Sequence, residues 1–142
     1  MITTRTQAEP FDPAAESAAL TAGRTDIGAV VTFTGHVRAD GDLEALTLEH
    51  YPAMTDRQMA AIAAEAEARW PLLGGTVIHR HGRLLPGEAI VFVAIASAHR
   101  LAAFEAAEFL MDWLKTKAPF WKHDGSEWVA AKASDDAAAA RW

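Results

Sequence analysis

Two lysines on either side of a proline are the residues of this chain best suited to catalysis. Lys115 falls near the end of a long predicted helix, Pro119 must end that helix, and Lys122 follows after two aromatic residues. An amine held in a partly dry pocket among other cations can act as an acid, a base or a nucleophile. The alternative is ordinary surface charge, with Lys115 paired to Asp112 three positions earlier on the helix.

His99 and Arg100 stand where an apolar strand passes into the long helix, and together they predict an anion site. The first N–H groups of a helix lack partners within the helix, and the helix dipole favours negative charge there. Arg and His side chains add donors suited to a phosphate or carboxylate group. In the competing interpretation, Arg100 pairs with Glu108 or with a neighbouring loop, and His99 is only a polar cap.

A loop at residues 35–42, punctuated by glycine and aspartate, carries His36 and Arg38. Loops on a rigid scaffold often carry binding residues, although the solvated tip of a hairpin is the simpler interpretation. His79 and His81 alternate along a predicted strand, share a face, and could ligate a metal. Because no third ligand follows at motif spacing, a strand-surface or interface role is favoured and no metal site is predicted.

The sequence lacks the motifs of several common enzyme classes. Gly-x-Gly-x-x-Gly, the P-loop, His-Glu-x-x-His and Gly-x-Ser-x-Gly are all absent. The chain has no cysteine, which excludes a disulfide, a thiolate zinc site, an iron–sulfur cluster and a persulfide on this chain. Any sulfur that takes part in the reaction must therefore arrive on another molecule.

Hydrophobic periodicity predicts the elements that position these residues. Residues 13–22, 54–70 and 99–118 predict helices, the second with a capping box of Thr55 and Gln58 and the third with Ser97 as N-cap. The core stripe of the third helix is expected to include Leu101, Phe104, Ala107, Leu110, Met111 and Leu114. Strands are predicted at residues 29–34, 43–51, 76–84, 89–96, 120–123 and 127–131, and an alanine-rich, helical tail at 135–142. The first two strands are expected to form a hairpin, and the whole order predicts an α+β sandwich with a mostly antiparallel or mixed sheet.

Size and charge favour one ordered domain over residues 1–142; residues 1–25, which add little to the resemblance described below, are expected to be a peripheral segment. Of the 142 residues, 51% are hydrophobic and 23% are charged, which suits a single core and argues against disorder. A net charge of −6 disfavours a nucleic-acid binder. No run resembles a membrane helix or a signal peptide, so a cytoplasmic protein is expected.

Six segments together resemble the large, catalytic subunits of molybdopterin synthase, the MoaE family. They are residues 28–38 (GAVVTFTGHVR), 46–52 (LTLEHYP), 77–80 (VIHR), 86–88 (PGE), 97–100 (SAHR) and 111–122 (MDWLKTKAPFWK). Because several separate motifs agree in order and spacing, the resemblance is specific. It covers nearly the whole chain from Gly28 onward.

The resemblance implies an α+β fold of the α/β-hammerhead type and a homodimer at the centre of a heterotetramer. One small ubiquitin-like sulfur-carrier subunit would bind at each end. The implied reaction moves two sulfurs from the thiocarboxylated Gly-Gly tail of that subunit to cyclic pyranopterin monophosphate, which forms the dithiolene of molybdopterin. No resident cofactor, nucleic acid or membrane partner is implied.

The resemblance also implies residue roles, position by position. Lys115 resembles the essential catalytic lysine, and Lys122 resembles a second, supporting lysine. The implied substrate contacts are His36, Val37, Arg38, His99, Arg100, Lys115, Lys122, His123 and Asp124. His36 and His123 stand where Lys and Arg are expected in some relatives, so the positive charge at these positions depends on pH.

Two other functions remain open at this point. A non-catalytic scaffold that binds a ubiquitin-like protein tail would need a groove for that tail but not the paired lysines. An enzyme acting on a different phosphate ester would use the same basic residues and would work without a protein partner.

Overall fold

The computed structural model describes residues 1–39, 41, 44–123, 128–129 and 133–142, with side chains described for 1–39, 41, 44–120 and 136–142. The elements in chain order are β1 (Ile2–Gln7), α1 (Pro13–Thr21), β2 (Ala29–His36), β3 (Leu46–His50), α2 (Pro52–Arg69), β4 (Leu72–Arg80), β5 (Gly82–Leu84), β6 (Ala89–Ser97), α3 (Arg100–Thr116), β7 (Phe120–His123), β8 (Trp128–Val129) and α4 (Ala133–Ala139). The predicted α+β class is confirmed. No helix in the described part of the chain is long and apolar enough to cross a membrane.

The described strands form two four-stranded sheets. The first has the order β1-β4-β6-β2 and the second β5-β3-β7-β8. Because β1 runs parallel to β4 while the other pairs of the first sheet are antiparallel, that sheet is mixed, as predicted. Strand β6 lies inside the sheet and is buried along nearly its whole length, which explains why its sequence is apolar on both faces.

Helix α3 packs on the first sheet through small and medium side chains. Ala103 and Ala106 are fully buried, and Leu110 and Leu114 continue the same stripe. Alanines let the helix lie close to the sheet, and the leucines fill the space toward its end. The predicted stripe is wrong at its start, because Leu101 and Phe104 are 67% and 53% exposed. The first turns of α3 therefore present an apolar surface to solvent.

The predicted hairpin between the first two strands is wrong. Strand β2 pairs with β6 in the first sheet, whereas β3 pairs with β5 and β7 in the second. Strands that follow each other in sequence often pair. Here, however, β6 is apolar on both faces, as a central strand is, and it needs a hydrogen-bonded neighbouring strand along each edge. Strand β2 supplies one of these partners, and the loop that follows it carries the chain to the other sheet.

Two predicted helix caps are also wrong. Helix α2 begins at Pro52 with Tyr51 as its N-cap, so Thr55 lies within the first turn, where it is fully buried. Ser97 remains in β6, and its hydroxyl donates to the carbonyl of Pro71 at 2.9 Å. His99 is the N-cap of α3 instead, without a capping bond from its side chain.

The predicted strand at residues 76–84 is two strands in different sheets. Strand β4 ends at Arg80, and β5 starts at Gly82, whose φ of +90° suits the change of direction. His79 and His81 consequently do not lie on one continuous strand; the ring of His79 stacks on Phe120, and the ring of His81 contacts His50.

The residue pattern before residue 13 predicts no strand, yet β1 forms one edge of the first sheet. It runs beside β4 from the pair Ile2–Gly75 to the pair Gln7–Arg80. Ile2 is 6% exposed and belongs to the main core. The alternation of Thr, Arg and Gln in β1 gave little apolar signal, because only one of its residues is buried.

Candidate active site

The residues proposed as substrate contacts lie at opposite ends of the first sheet. In the β2–β6 register, Ala29 pairs with Ser97 and His36 pairs with Ala89. The segment after His36 is thus at one end, and the segment after Ser97 is at the other. Seven residue steps of strand separate these ends by roughly 23 Å.

Arg38 follows a backbone segment that is firmly held. Val37 is 4% exposed, its N–H donates to the carbonyl of Glu88 at 2.9 Å, and its carbonyl accepts from the N–H of Gly87 at 2.6 Å. His36 Nδ1 lies 3.2 Å from the carbonyl of Gly87. Because Val37 is fixed on both sides, the exposed side chain of Arg38 projects from a defined position.

A buried arginine supports the turn that holds Val37. Arg80 Nη1 donates to Glu88 Oε2 at 2.8 Å, and its Nε and Nη2 donate to the carbonyl of Ala8 at 3.1 and 2.8 Å. The other oxygen of Glu88 accepts from the N–H of Leu85 at 2.9 Å. The hydrogen bond from Arg80 is the main cause of a lowered pKa at Glu88, and the bond from Leu85 adds to it.

His99 and Arg100 stand at the other end, where β6 passes into α3. Both side chains are exposed, and neither has a hydrogen bond or an ion pair within the described part of the chain. Gly28 packs so closely there that a Cβ on it would lie 2.1 Å from the carbonyl oxygen of Ala98. The alternative pairing of Arg100 with Glu108 is wrong, because Glu108 binds Arg141.

Helix α3 brings the chain back toward the Arg38 end. Fifteen residue steps from Arg100 to Lys115 cover about 22 Å, close to the length of the strands beneath. Lys115 lies in the last turn and is exposed. The alternative surface pair with Asp112 is wrong, since the Asp112 carboxylate accepts hydrogen bonds from Arg141 and Trp142. Among the described residues, Lys115 has no partner.

The strand that carries Lys122 is anchored by its first residue. Phe120 pairs with His50 of β3, and Lys122 pairs with Leu48, which is 1% exposed. The backbone of Lys122 is thus fixed to a buried strand after the bend at Pro119. The side chains of Lys122 and His123, and the whole of Asp124, lie outside the described residues, so their predicted contacts stay predictions.

Four aromatic rings that the sequence analysis did not group form a stack beside this bend. The ring centroids are 4.3 Å apart for His81–His50, 5.4 Å for His50–Phe120 and 3.9 Å for Phe120–His79. The pKa of His50 is lowered, chiefly by burial and then by His81, while Asp56 acts in the opposite direction. No sequence signal would have grouped these rings, because they come from three strands and a connection between strands.

The arrangement can bind an anion and supply an amine at the same end of the first sheet. Lys115 and Arg38 are both exposed there and unpaired within the described part of the chain, so their charges are available to a ligand. No group of three His, Asp or Glu side chains that could hold a metal occurs among the residues with described placement.

Comparisons with a family model and with individual proteins all identify the same family. The family model described as "MoaE protein" matches residues 6–117. The molybdopterin synthase catalytic subunit of Mesorhizobium japonicum is 61% identical over 147 aligned positions, covering 99% of this chain and 92% of that protein. The relative from Escherichia coli, with the same description, is 58% identical and covers 85% of both chains.

Solved structures agree in fold. The molybdopterin cofactor biosynthesis protein E of Burkholderia multivorans superposes with a TM-score of 0.86 at 52% identity, covering 100% of this chain and 97% of that one. The crystal structure of molybdopterin synthase from Staphylococcus aureus gives a TM-score of 0.78 at 32% identity, covering 88% of this chain and 95% of that one.

Proposed function

The chain belongs to the MoaE protein family, and we propose that its Lys115 performs the central step of a molybdopterin synthase reaction. As the catalytic subunit of that enzyme, the protein acts in molybdenum cofactor biosynthesis as a sulfurtransferase. The acceptor is cyclic pyranopterin monophosphate, and the donor is a thiocarboxylate on the Gly-Gly tail of a small ubiquitin-like subunit. The reaction takes place in the cytoplasm.

One observation carries this assignment. Lys115 is an exposed amine at the end of a buried helix, and its neighbouring carboxylate, Asp112, is bound by other residues. A lysine without a carboxylate partner can transfer a proton or engage an electrophile, which a lysine locked in an ion pair does less readily. Arg38 lies at the same end of the sheet and suits a phosphate.

The proposed reaction exchanges two bonds at each sulfur transfer. First, the thiocarboxylate sulfur forms a bond to a carbon of the pterin side chain while a carbon–oxygen bond breaks there: at one carbon the phosphate oxygen leaves, which opens the cyclic phosphate to a monoester, and at the other an oxygen leaves as water. Water then cleaves the bond between that sulfur and the acyl carbon of the tail. The tail leaves as a carboxylate, so two carriers are consumed for each dithiolene. Lys115 transfers protons in these steps, Lys122 orients the reacting groups, and Arg38 stabilises the charge that develops on the phosphate.

The opposite placement of Arg38 and His99 supports a site shared between two copies. Within one chain, about 23 Å of strand separates the two ends of the sheet, too far for one small substrate to contact both. In the proposed homodimer, His99 and Arg100 of the partner subunit complete each site. The exposed apolar side chains of Leu101 and Phe104 on the same turns of α3 support burial against a second copy.

The remaining predicted contacts complete the proposed assembly. His36 and Val37 would contact the substrate beside Arg38, and His123 and Asp124 would do so beside Lys122. One sulfur-carrier subunit would bind at each end of the dimer to give a heterotetramer, with its tail reaching Lys115. The protein would need no resident cofactor for this chemistry.

Reconstitution with a thiocarboxylated small subunit and cyclic pyranopterin monophosphate tests the role of Lys115. Lys115→Ala is expected to lower dithiolene formation by at least about 100-fold, the scale of general acid–base catalysis, with unchanged thermal stability. Lys117→Ala, a change at an exposed lysine of the same region, is the matched control and should retain activity. Near-normal turnover by Lys115→Ala would support the scaffold function instead.

Subunit complementation tests the shared site. Lys115→Ala and Arg100→Ala homodimers should each be inactive, but exchange of subunits creates a mixed dimer with one intact site. Random mixing should then restore about one quarter of the wild-type activity, since half of the dimers are mixed and each has one working site. If exchange is confirmed and no activity returns, Arg100 does not act across the dimer.

A further inference from the structure

Arg141 and Trp142 reach back to α3 one turn before Lys115. Arg141 Nη2 donates to Asp112 Oδ2 at 3.2 Å and to Glu108 Oε2 at 3.1 Å. The indole N–H of Trp142 donates to the same oxygen of Asp112 in a short contact. One carboxylate of the catalytic helix therefore has two donors, both from the segment that follows α4.

Trp142 is held in place by aromatic packing. Its ring makes edge contacts with Trp70 and Phe109, at centroid distances of 5.7 Å in each case. Trp142 is partly buried against the main core, and the guanidinium of Arg141 lies 4.8 Å from its ring centroid. The contact with Asp112 is therefore part of a packed cluster and not the chance position of a surface side chain.

Arg141 and Trp142 determine which groups bind the carboxylate of Asp112. Asp112 and Lys115 are three residues apart on one helix, a spacing at which a carboxylate and an ammonium normally meet. Instead, the Asp112 side chain is only 16% exposed and is directed to Arg141 and Trp142. Charge-assisted hydrogen bonds of this kind are stronger than an exposed pair with a flexible lysine, so the observed partners prevail.

We propose that Arg141 and Trp142 are positioning residues for sulfur transfer, because they hold Asp112 and so keep it from pairing with Lys115. The inference rests on the proposed catalytic role of Lys115. The two residues touch neither the substrate nor the reacting atoms, and they act only through Asp112. The amine of Lys115 then remains free to meet the sulfur-carrier tail and the pterin.

The test is a double variant, Arg141→Gln with Trp142→Phe, which removes the charge and the indole N–H but keeps an aromatic ring between Trp70 and Phe109. Dithiolene formation should fall on the order of two- to fivefold, the range expected for a new ion pair of Lys115 with Asp112. Adding Asp112→Asn should restore wild-type activity, because the neutral amide cannot form that pair. Glu108→Gln is the matched control, since it removes only the other partner of Arg141.

A crystal structure of the double variant gives a readout that does not depend on turnover. In that structure we expect a carboxylate oxygen of Asp112 within 4 Å of Lys115 Nζ, the usual limit for an ion pair. A full rate in the double variant, a loss that Asp112→Asn does not restore, or an Asp112 turned away from Lys115 would each overturn it. Activity in Lys115→Ala would instead overturn the proposed function, so the two failures are distinguishable.

Discussion

Arg80 and Glu88 form an ion pair of 2.8 Å beneath the backbone that carries Arg38. The arginine is 6% exposed and the glutamate 32%, so the pair closes the inner side of the turn before β6. The same turn holds Val37 by two backbone hydrogen bonds. The proposed substrate contact Arg38 is thereby tied to a buried group two strands away.

Replacement of the buried arginine should destabilise the fold. Arg80→Met retains length but removes the hydrogen bonds that Arg80 donates to the Glu88 carboxylate and to the carbonyl of Ala8. We expect the free energy of unfolding to fall by about 2–4 kcal/mol, the cost of leaving partly buried polar groups unpaired. Urea denaturation measures this loss. Arg83→Met, at an exposed arginine of β5, is the control and should change the value by less than about 0.5 kcal/mol.

The same glutamate should make stability depend on acidic pH. Its pKa in the folded protein lies below the ordinary value of 4.5, chiefly because of the hydrogen bond from Arg80. The stabilisation is therefore present above pH 4.5 and is lost as the pH falls through the folded pKa. Unfolding free energies measured from pH 6 down to pH 3, about the range over which a carboxyl titrates, should fall less steeply for Glu88→Gln than for the wild type. Parallel curves would contradict the prediction.

Protonation of His50 should also destabilise the folded protein, in a higher pH range than protonation of Glu88. Burial and the nearby His81 lower its pKa below 6.5, so protonation favours the unfolded chain. Stability is full above pH 6.5 and decreases as the pH falls through the folded pKa. His50→Phe preserves the stack on Phe120 but cannot be protonated. The variant should therefore lose less stability than the wild type between about pH 7.5 and pH 5.5, as thermal melts at both values would show.

The close approach of Gly28 to Ala98 predicts a steric effect near His99. In Gly28→Ala the new methyl group would meet the carbonyl oxygen of Ala98 at 2.1 Å, which backbone movement must relieve. We expect a loss of about 1–3 kcal/mol in unfolding free energy and weaker substrate binding, because His99, a proposed substrate contact, follows directly. Gly23→Ala is the control that introduces backbone strain without a steric clash. The φ of Gly23 is +71°, but nothing lies within 4 Å of the added atom. It should cost only about 1–2 kcal/mol and leave substrate binding unchanged.

Much of the local structure could be predicted from residue patterns. The apolar run of β6, the long α3 and the bend at Pro119 are confirmed, because each leaves a clear pattern of residue types along the chain. The same holds for α1, whose Asp12 caps the N–H groups of Ala14 and Ala15. The hairpin assigned to β2 and β3 is wrong because it concerns a pairing between separate segments. The misplaced caps of α2 and α3 are local errors of a few residues at helix starts.

Residue types and their order establish which chemical groups are present: a cysteine-free chain, two lysines around a proline, and basic residues at a helix start and after a strand. Tertiary structure alone decided that Arg38 and His99 lie at opposite ends of one sheet, and that Asp112 binds Arg141 and Trp142 instead of Lys115. The reason is physical. Residue type and local periodicity are fixed along the chain, whereas the partner of a charged group depends on which distant segment packing brings within reach.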